Sequence, residues 1–169
     1  MRLVGERVQL LPVPRAVATA VVAGQDPGAA LREVGLTAAD WPHRDTADAL
    51  RPLAEHGQGE GTFLVVLDGQ VVGECGRLRG PDDEGSAEIG YGLSPAARGR
   101  GLATDAVRVL TAWLDTQPGV RRITAEALVG NAPSRRLLLR LGFTCRSEVP
   151  PYACYARDSA HVDRPGQSG

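Results

Sequence analysis

The clearest pattern in the chain is a pair of apolar runs around an Asp-Gly step. Phe63 to Leu67, then Asp68-Gly69, then Gln70 to Glu74 reads as strand, tight turn, strand, because Asp-Gly tolerates the positive φ angles of a two-residue hairpin. A polar loop from Gly80 to Gly85 leads into a third strand, Ala87 to Leu93, and such short connections favour three adjacent antiparallel strands. Upstream, Leu3 to Leu11 alternates and stops at Pro12, which predicts a strand. Pro14 to Val22 predicts a short helix ended by Gly24. From about Ala29 to His56 the pattern is helical in two pieces, broken around Trp41-Pro42. Downstream, Leu102, Ala106, Leu110, Trp113 and Leu114, with Val107 alongside, recur at helical spacing until Pro118-Gly119. Val120 to Val129 predicts a strand. Asn131 to Leu141 predicts a helix with Asn131 as its cap, Pro133 in its first turn and Gly142 beyond its end. Phe143 to Val149 and Tyr152 to Arg157 close the set as strands, and the tail from Asp158 is expected to be disordered.

Length fits a single domain over residues 1–157, since 169 residues leave little room for a second core. Hydrophobic residues at 43% and charged residues at 23% are those of a folded globular chain. No apolar run reaches the roughly 20 residues of a membrane span. MRLVGERVQL lacks the apolar core of a signal peptide. The formal charge of −1 gives no field for nucleic acid. All 19 basic residues are arginine, which excludes a P-loop lysine and a Schiff-base lysine. Cys75, Cys145 and Cys154 are an odd set at unrelated spacings, which points to reduced thiols and the cytoplasm. His43, His56 and His161 are scattered, and no Cys or His spacing fits a metal.

Candidate chemistry lies between the third strand and the long helix, in Leu93-Ser94-Pro95-Ala96-Ala97-Arg98-Gly99-Arg100-Gly101-Leu102-Ala103. Two glycines allow close backbone approach, and the helix start offers unpaired N–H groups and the positive end of its dipole. That combination binds phosphate or pyrophosphate, with Arg98 and Arg100 adding charge. A tight helix entry with solvated arginines is the plainer reading. A dinucleotide loop fails because the third glycine is Thr104, the loop follows a meander, and no acidic residue closes the next strand.

Arg98-Gly99-Arg100-Gly101-Leu102-Ala103 resembles the [Gln/Arg]-x-x-Gly-x-[Gly/Ala] signature of the GNAT N-acyltransferases. Asn131-Ala132-Pro133-Ser134-Arg135-Arg136-Leu137-Leu138-Leu139-Arg140-Leu141-Gly142-Phe143 is similar to their second hallmark, Asn-x-x-[Ala/Ser]-x-x-Leu-x-x-x-x-Gly-Phe, and its Asn-x-x-Ser resembles the Rim-type (ribosomal-protein N-terminal acetyltransferase-like) branch. The resemblance implies an α/β fold of the α+β kind: a mostly antiparallel mixed sheet of about six to seven strands, about four flanking helices, and a splayed strand pair that receives coenzyme A.

It also implies an acyl-coenzyme-A-dependent N-acyltransferase, with acetyl-CoA or another acyl-CoA as co-substrate and no metal. Tyr91, Gly92 and Leu93 would pair with the acyl-pantetheine arm. Arg98, Gly99, Arg100, Gly101, Leu102, Ala103 and Thr104 would hold the pyrophosphate, and Asn131 and Ser134 the pantetheine end. Glu88 stands where several members carry their general base, and simple alternation puts it opposite Ile89, Tyr91 and Leu93; Glu74 and Glu126 are the reserves. A backbone N–H near Leu93 or Ser94 would stabilise the oxyanion. Leu138 occupies the usual tyrosine position, so Ser134 or water would protonate the leaving thiolate. Cys145, on an expected interior strand, and Cys75 have no neighbour in sequence that would activate them, and Arg135 or Arg136 could meet a cofactor phosphate.

The acceptor is expected to be a small-molecule amine or a protein N-terminus, walled by about Ala16 to Gly61, with no nucleic acid and no membrane involved. Members of the family often form dimers, so a homodimer is among the expectations. A non-catalytic acyl-CoA-binding or regulatory module of the same fold is the alternative, separated by whether Glu88→Gln and an amine panel reveal any transfer.

Overall fold

Most strands and helices fall where the patterning puts them, but the run from Leu3 breaks in two and the first helical piece expected from about Ala29 stops at Glu33. The computed structural model describes residues 1–57 and 60–160. Its elements in chain order are β1 (Leu3–Val4), β2 (Gln9–Pro12), α1 (Arg15–Val22), α2 (Gly28–Glu33), α3 (Thr46–His56), β3 (Thr62–Leu67), β4 (Gln70–Arg79), β5 (Ser86–Leu93), a 3₁₀ turn over Pro95–Ala97, α4 (Leu102–Leu114), β6 (Arg122–Leu128), α5 (Ala132–Arg140), β7 (Thr144–Val149) and β8 (Tyr152–Asp158). The strands hydrogen-bond in the order β1-β2-β3-β4-β5-β6-β8-β7. This is a mixed, mostly antiparallel α/β sheet. Its eight strands and five helices among the described residues exceed the six to seven and four expected.

The chain groups into two compact units, residues 1–78 with 90–110, and residues 79–89 with the chain from 111 onward. In the first, β1 to β4 form an antiparallel meander, with Leu10 opposite Val65 and Leu64 opposite Glu74. Val17 and Ala18 of α1, Leu31 of α2, Leu50 of α3 and Trp41 share a buried cluster with Leu64 and Val66. In the second, Ser86 to Ile89 of β5 run parallel to Arg122 to Ala125 of β6, and β8 lies antiparallel between β6 and β7. Ile123, Ala125 and Ala127 are buried, whereas Arg122, Thr124 and Glu126 point to the other, more open face.

The extra strand comes from a carboxylate. The run Leu3 to Leu11 is not continuous, because the backbone N–H groups of Glu6, Arg7 and Val8 donate to the Asp105 carboxylate at 3.1, 2.8 and 3.0 Å. Those donors are lost to a strand ladder. A Cβ at Gly5 would lie 2.5 Å from Asp105 Oδ2, so only glycine fits there. Burial works against the charge of Asp105, but the three N–H groups and Arg108 prevail and hold its carboxyl below the usual range. Its stabilising contribution is therefore complete above a pH of about 3.9 and is lost as pH falls through the depressed folded value. Asp105→Ala is expected to cost about 2 kcal/mol at neutral pH. In urea titrations that gap should narrow at acid pH, and a pH-independent gap would count against the carboxylate's charge as the cause.

Two expectations need correction. Cys145 is not interior: β7 is exposed along its whole length, and Cys145 with it. Asp158 is not tail: it ends β8, in register with Arg122 and 3.2 Å from its Nε. Residues 161–169 of the expected disordered segment lie outside the described residues.

Candidate active site

The helix α4 begins after Arg98-Gly99-Arg100-Gly101, and both glycines adopt φ of +74°. L side chains rarely enter that region, so the sequence Gly-x-Gly is what lets the chain turn into the helix here. A Cβ on Gly99 would meet nothing within 4 Å, so its surroundings are open. The loop is braced from inside the unit. Arg98 Nε donates to the Leu93 carbonyl at 3.0 Å, Arg7 Nη1 donates to the Arg100 carbonyl, and Ala96 N donates to Asp40 at 3.2 Å. Thus Arg98 shapes the loop. The first-turn N–H groups of a helix lack intrahelical acceptors and sit at the positive end of its dipole, and this holds for the start of α4.

Just before the loop, Ser94 N donates to Val72 O at 2.9 Å. Of the two expected oxyanion donors, Ser94 is thus already committed, which leaves Leu93. Ser94 is only 3% exposed, and its Oγ finds no hydrogen-bond partner among the described residues.

Beside β5 lies a cluster of which sequence reasoning named only Glu74, as a reserve base. Glu74, on β4, is 4% exposed. Its Oε2 accepts from Trp41 Nε1 at 2.7 Å and from Thr46 Oγ1 at 3.2 Å, while His43 Nε2 stands 2.9 Å from Oε1. The Thr46 hydroxyl in turn accepts from the His43 backbone N–H at 3.1 Å. The close approach of His43 is a charge contact without good N–H alignment, since Nε2 makes no regular hydrogen bond. The Glu74 contact raises the His43 pKa above its usual value; burial and Arg98 oppose the rise, and Asp45 adds to it. The contact's contribution to stability is therefore complete below a pH of about 6.5 and is lost as pH rises through the raised folded value. A Cβ on Gly92 would come within 2.9 Å of the imidazole Cε1 and Nε2, and 3.2 Å of Glu74 Oε1. Trp41 is thus a core residue with one polar task.

In the second unit Glu88 behaves as alternation demands. Ala87 and Ile89 are buried while the Glu88 side chain is 22% exposed, turned to the face that carries Thr124, Glu126 and Cys154. These residues line a groove of about 500 Å³ that also takes in Arg79, Arg122 and Arg146. Glu88 Oε2 lies 3.4 Å from Arg79 Nε, an exposed pairing that competes little with a ligand. Glu126 Oε1 is 3.6 Å from Cys154 Sγ.

Helix α5 starts as expected: Asn131 Oδ1 accepts from Ser134 N at 3.2 Å. Leu138 is fully buried, so the position expected to hold a tyrosine is closed to polar chemistry. Arg135 is not available to a phosphate. It bonds Tyr155 OH at 2.9 Å, Val129 O at 3.0 Å and Glu148 at 2.7 Å. Burial, with the Glu74 charge, drives the Cys75 thiol pKa up and keeps it a thiol, which leaves it no part as a nucleophile.

A mostly antiparallel sheet in which β5 leads through a glycine-bent turn into α4 agrees with the fold of a coenzyme-A-class acyltransferase. Residues 7–144 match the acetyltransferase (GNAT) domain family. The chain is 30% identical to the uncharacterized N-acetyltransferase YjdG of Bacillus subtilis (strain 168), over 73% of this chain and 79% of that one. A GnaT-family acetyltransferase from Bordetella pertussis superposes with a TM-score of 0.65 at 27% identity, covering 93% and 99% of the two chains. RimJ of Mycobacterium smegmatis, solved in complex with CoA-disulfide, has the same fold, with a TM-score of 0.62 at 23% identity over 97% and 90%. The chain belongs to the GNAT acetyltransferase family, and its class is that of an acyl-CoA-dependent N-acetyltransferase.

Proposed function

We propose that residues 1–157 act as one acetyltransferase domain that moves the acetyl group of acetyl-CoA directly onto a primary amine within a ternary complex. The observation that carries this reading is the paired positive-φ glycines, 99 and 101, opening α4. Their backbone N–H groups, with those of Leu102, Ala103 and Thr104, fit a pyrophosphate, because they are numerous, convergent and close to the dipole's positive end. Arg100, between the two glycines, adds charge. Tyr91 to Leu93 are the strand residues assigned to the pantetheine arm. Asn131 and Ser134 keep the role that the family motif gives them beside the cap they form.

Attack requires a neutral amine. With a reference pKa near 10.4, most of it is protonated at neutral pH, and Glu88 is the proposed acceptor of its proton. The nitrogen bonds to the thioester carbon, the oxyanion takes hydrogen bonds from backbone, and the C–S bond then breaks. A thiol with a reference pKa near 8.5 leaves readily. The groove around Glu88 offers carboxylates to an amine and guanidiniums to whatever acidic group it carries, so the acceptors in view are small amines and protein N-termini. Free thiols at all three cysteines fit a reducing compartment, and the cytoplasm is the assigned place of work.

Gly101→Val is expected to weaken acetyl-CoA binding at least about tenfold, since a β-branched residue strains that φ. Titration calorimetry reads this directly, and unchanged affinity would remove the loop from the site. Incubation with acetyl-CoA and an amine panel should release free thiol. The buried Leu138 favours a second reading, a non-catalytic acyl-CoA-binding module. Binding without transfer to any amine, unaffected by Glu88→Gln, would establish it.

A further inference from the structure

A buried carboxylate persists only with partners, since leaving water uncompensated strongly disfavours its charge. Trp41 and Thr46 satisfy Oε2 of Glu74 with neutral donors. Any neutral donor could have met Oε1 as well, yet the chain places a titratable imidazole there. The His43 side chain is nine-tenths buried, and its Nε2 sits 2.9 Å from Oε1 in a contact that is not a regular hydrogen bond, so the carboxylate backs the ring directly. The same ring edge lies against the backbone of β5: a methyl group at Gly92 would come within 2.9 Å of Cε1 and Nε2. Gly92 is also one of the three residues assigned to the acyl-pantetheine arm. Glycine at 92 therefore leaves ring and carboxylate room directly beside that strand. Leu138, at the position where the family motif leads one to expect a tyrosine, is apolar and closed off, so Ser134, water and His43 are the remaining proton sources for the leaving sulfur.

We propose that the imidazolium of His43, backed by Glu74, gives its proton to the departing coenzyme A thiolate. The proposal rests on the acetyl-transfer reading given above. As the amine nitrogen bonds to the acyl carbon, the C–S bond breaks with its electron pair on sulfur, and sulfur takes the proton from the imidazolium. The ammonium loses one proton through Glu88 to solvent before attack, the bonded nitrogen sheds a second by the same route as the amide forms, and the neutral imidazole regains one from solvent, so each turnover releases one proton and the charges balance. The charged groups acting on the ring are Glu74 and Asp45, which favour the imidazolium, and Arg98, which opposes it; the raised His43 pKa agrees with a ring that starts each turnover protonated.

Initial rates with acetyl-CoA and an accepted amine, measured across pH, test this. Wild-type kcat should fall as pH rises through the raised His43 value. Glu74→Gln should move that alkaline limb to lower pH, a shift that a merely structural role would not produce. His43→Gln should abolish the limb and lower kcat about tenfold or more, with acetyl-CoA affinity by calorimetry within about twofold and a wild-type melting curve. His56→Gln, at the end of α3, should leave the profile unchanged. Should His43→Gln fail to fold, the displacement of the limb in Glu74→Gln and a proton NMR titration of the His43 ring decide instead. Turnover by His43→Gln with the limb intact, or an unmoved limb in Glu74→Gln, overturns the assignment of His43 alone. A wild-type protein that binds acetyl-CoA and acetylates nothing overturns the transfer reading and this proposal with it.

Discussion

Glu88→Gln is expected to lower kcat for acetyl transfer by about a hundredfold, the lower end of what a positioned general base contributes. Glutamine keeps the size of the side chain and its place on β5, and the Arg79 contact it loses is exposed, so fold and cofactor affinity should hold. What disappears is the proposed acceptor of a proton from an ammonium whose reference pKa, near 10.4, leaves about one molecule in 2,500 neutral at pH 7. The loss should therefore be largest for the most basic amines and shrink for an acceptor of lower pKa. Thiol release measured against such an amine series reads both effects. A rate within about threefold of wild type for every amine would shift the role to Glu126, whose carboxylate lines the same groove.

Glu74→Ala carries the largest expected loss of stability, about 3 to 5 kcal/mol, the range for removing one partner of a buried pair. The truncation strands the Trp41 indole N–H, the Thr46 hydroxyl and a nine-tenths-buried imidazole together. Trp41 and Thr46 also sit among the buried residues of the first unit, so the damage lies in a core rather than on a surface. Glu74→Gln should cost much less, because an amide oxygen still accepts from the indole. Urea denaturation of the two variants measures the difference. A loss below about 1 kcal/mol for Glu74→Ala would show that the cluster is not closed in solution.

Elements built from local signals were legible along the chain. Asp68-Gly69 between two apolar runs became the β3–β4 hairpin, with Asp68 at φ +49° and Gly69 at +79°. Asn131 and Pro133 marked the start of α5, and Gly99 and Gly101 took the backbone geometry that the phosphate reading requires. Each of these depends on neighbours within about four residues, where residue chemistry and backbone geometry are directly coupled. The Leu3 to Leu11 run shows where that coupling ends. Its alternation is real, but Asp105, about a hundred residues away, takes three of its backbone donors and splits it.

The same distinction governs the candidate site. Alternation alone aimed Glu88 away from the apolar face, and two motifs with fixed internal spacing were enough to indicate the family, because the cradle and the capped helix are each made by one continuous stretch of chain. The His43–Glu74 cluster could not be read that way. Its members lie 31 positions apart, on a loop and a strand, and neither carries a local signature; only packing of the β3–β4 meander against the helices brings carboxylate, indole and imidazole together. Tertiary structure likewise decided that Arg135 is spent on Tyr155 and Glu148, that Cys145 lies on an exposed strand, and that the Ser94 N–H is already bonded. These are questions of which long-range partner a group finds, and the sequence alone determined only the partners within a few residues.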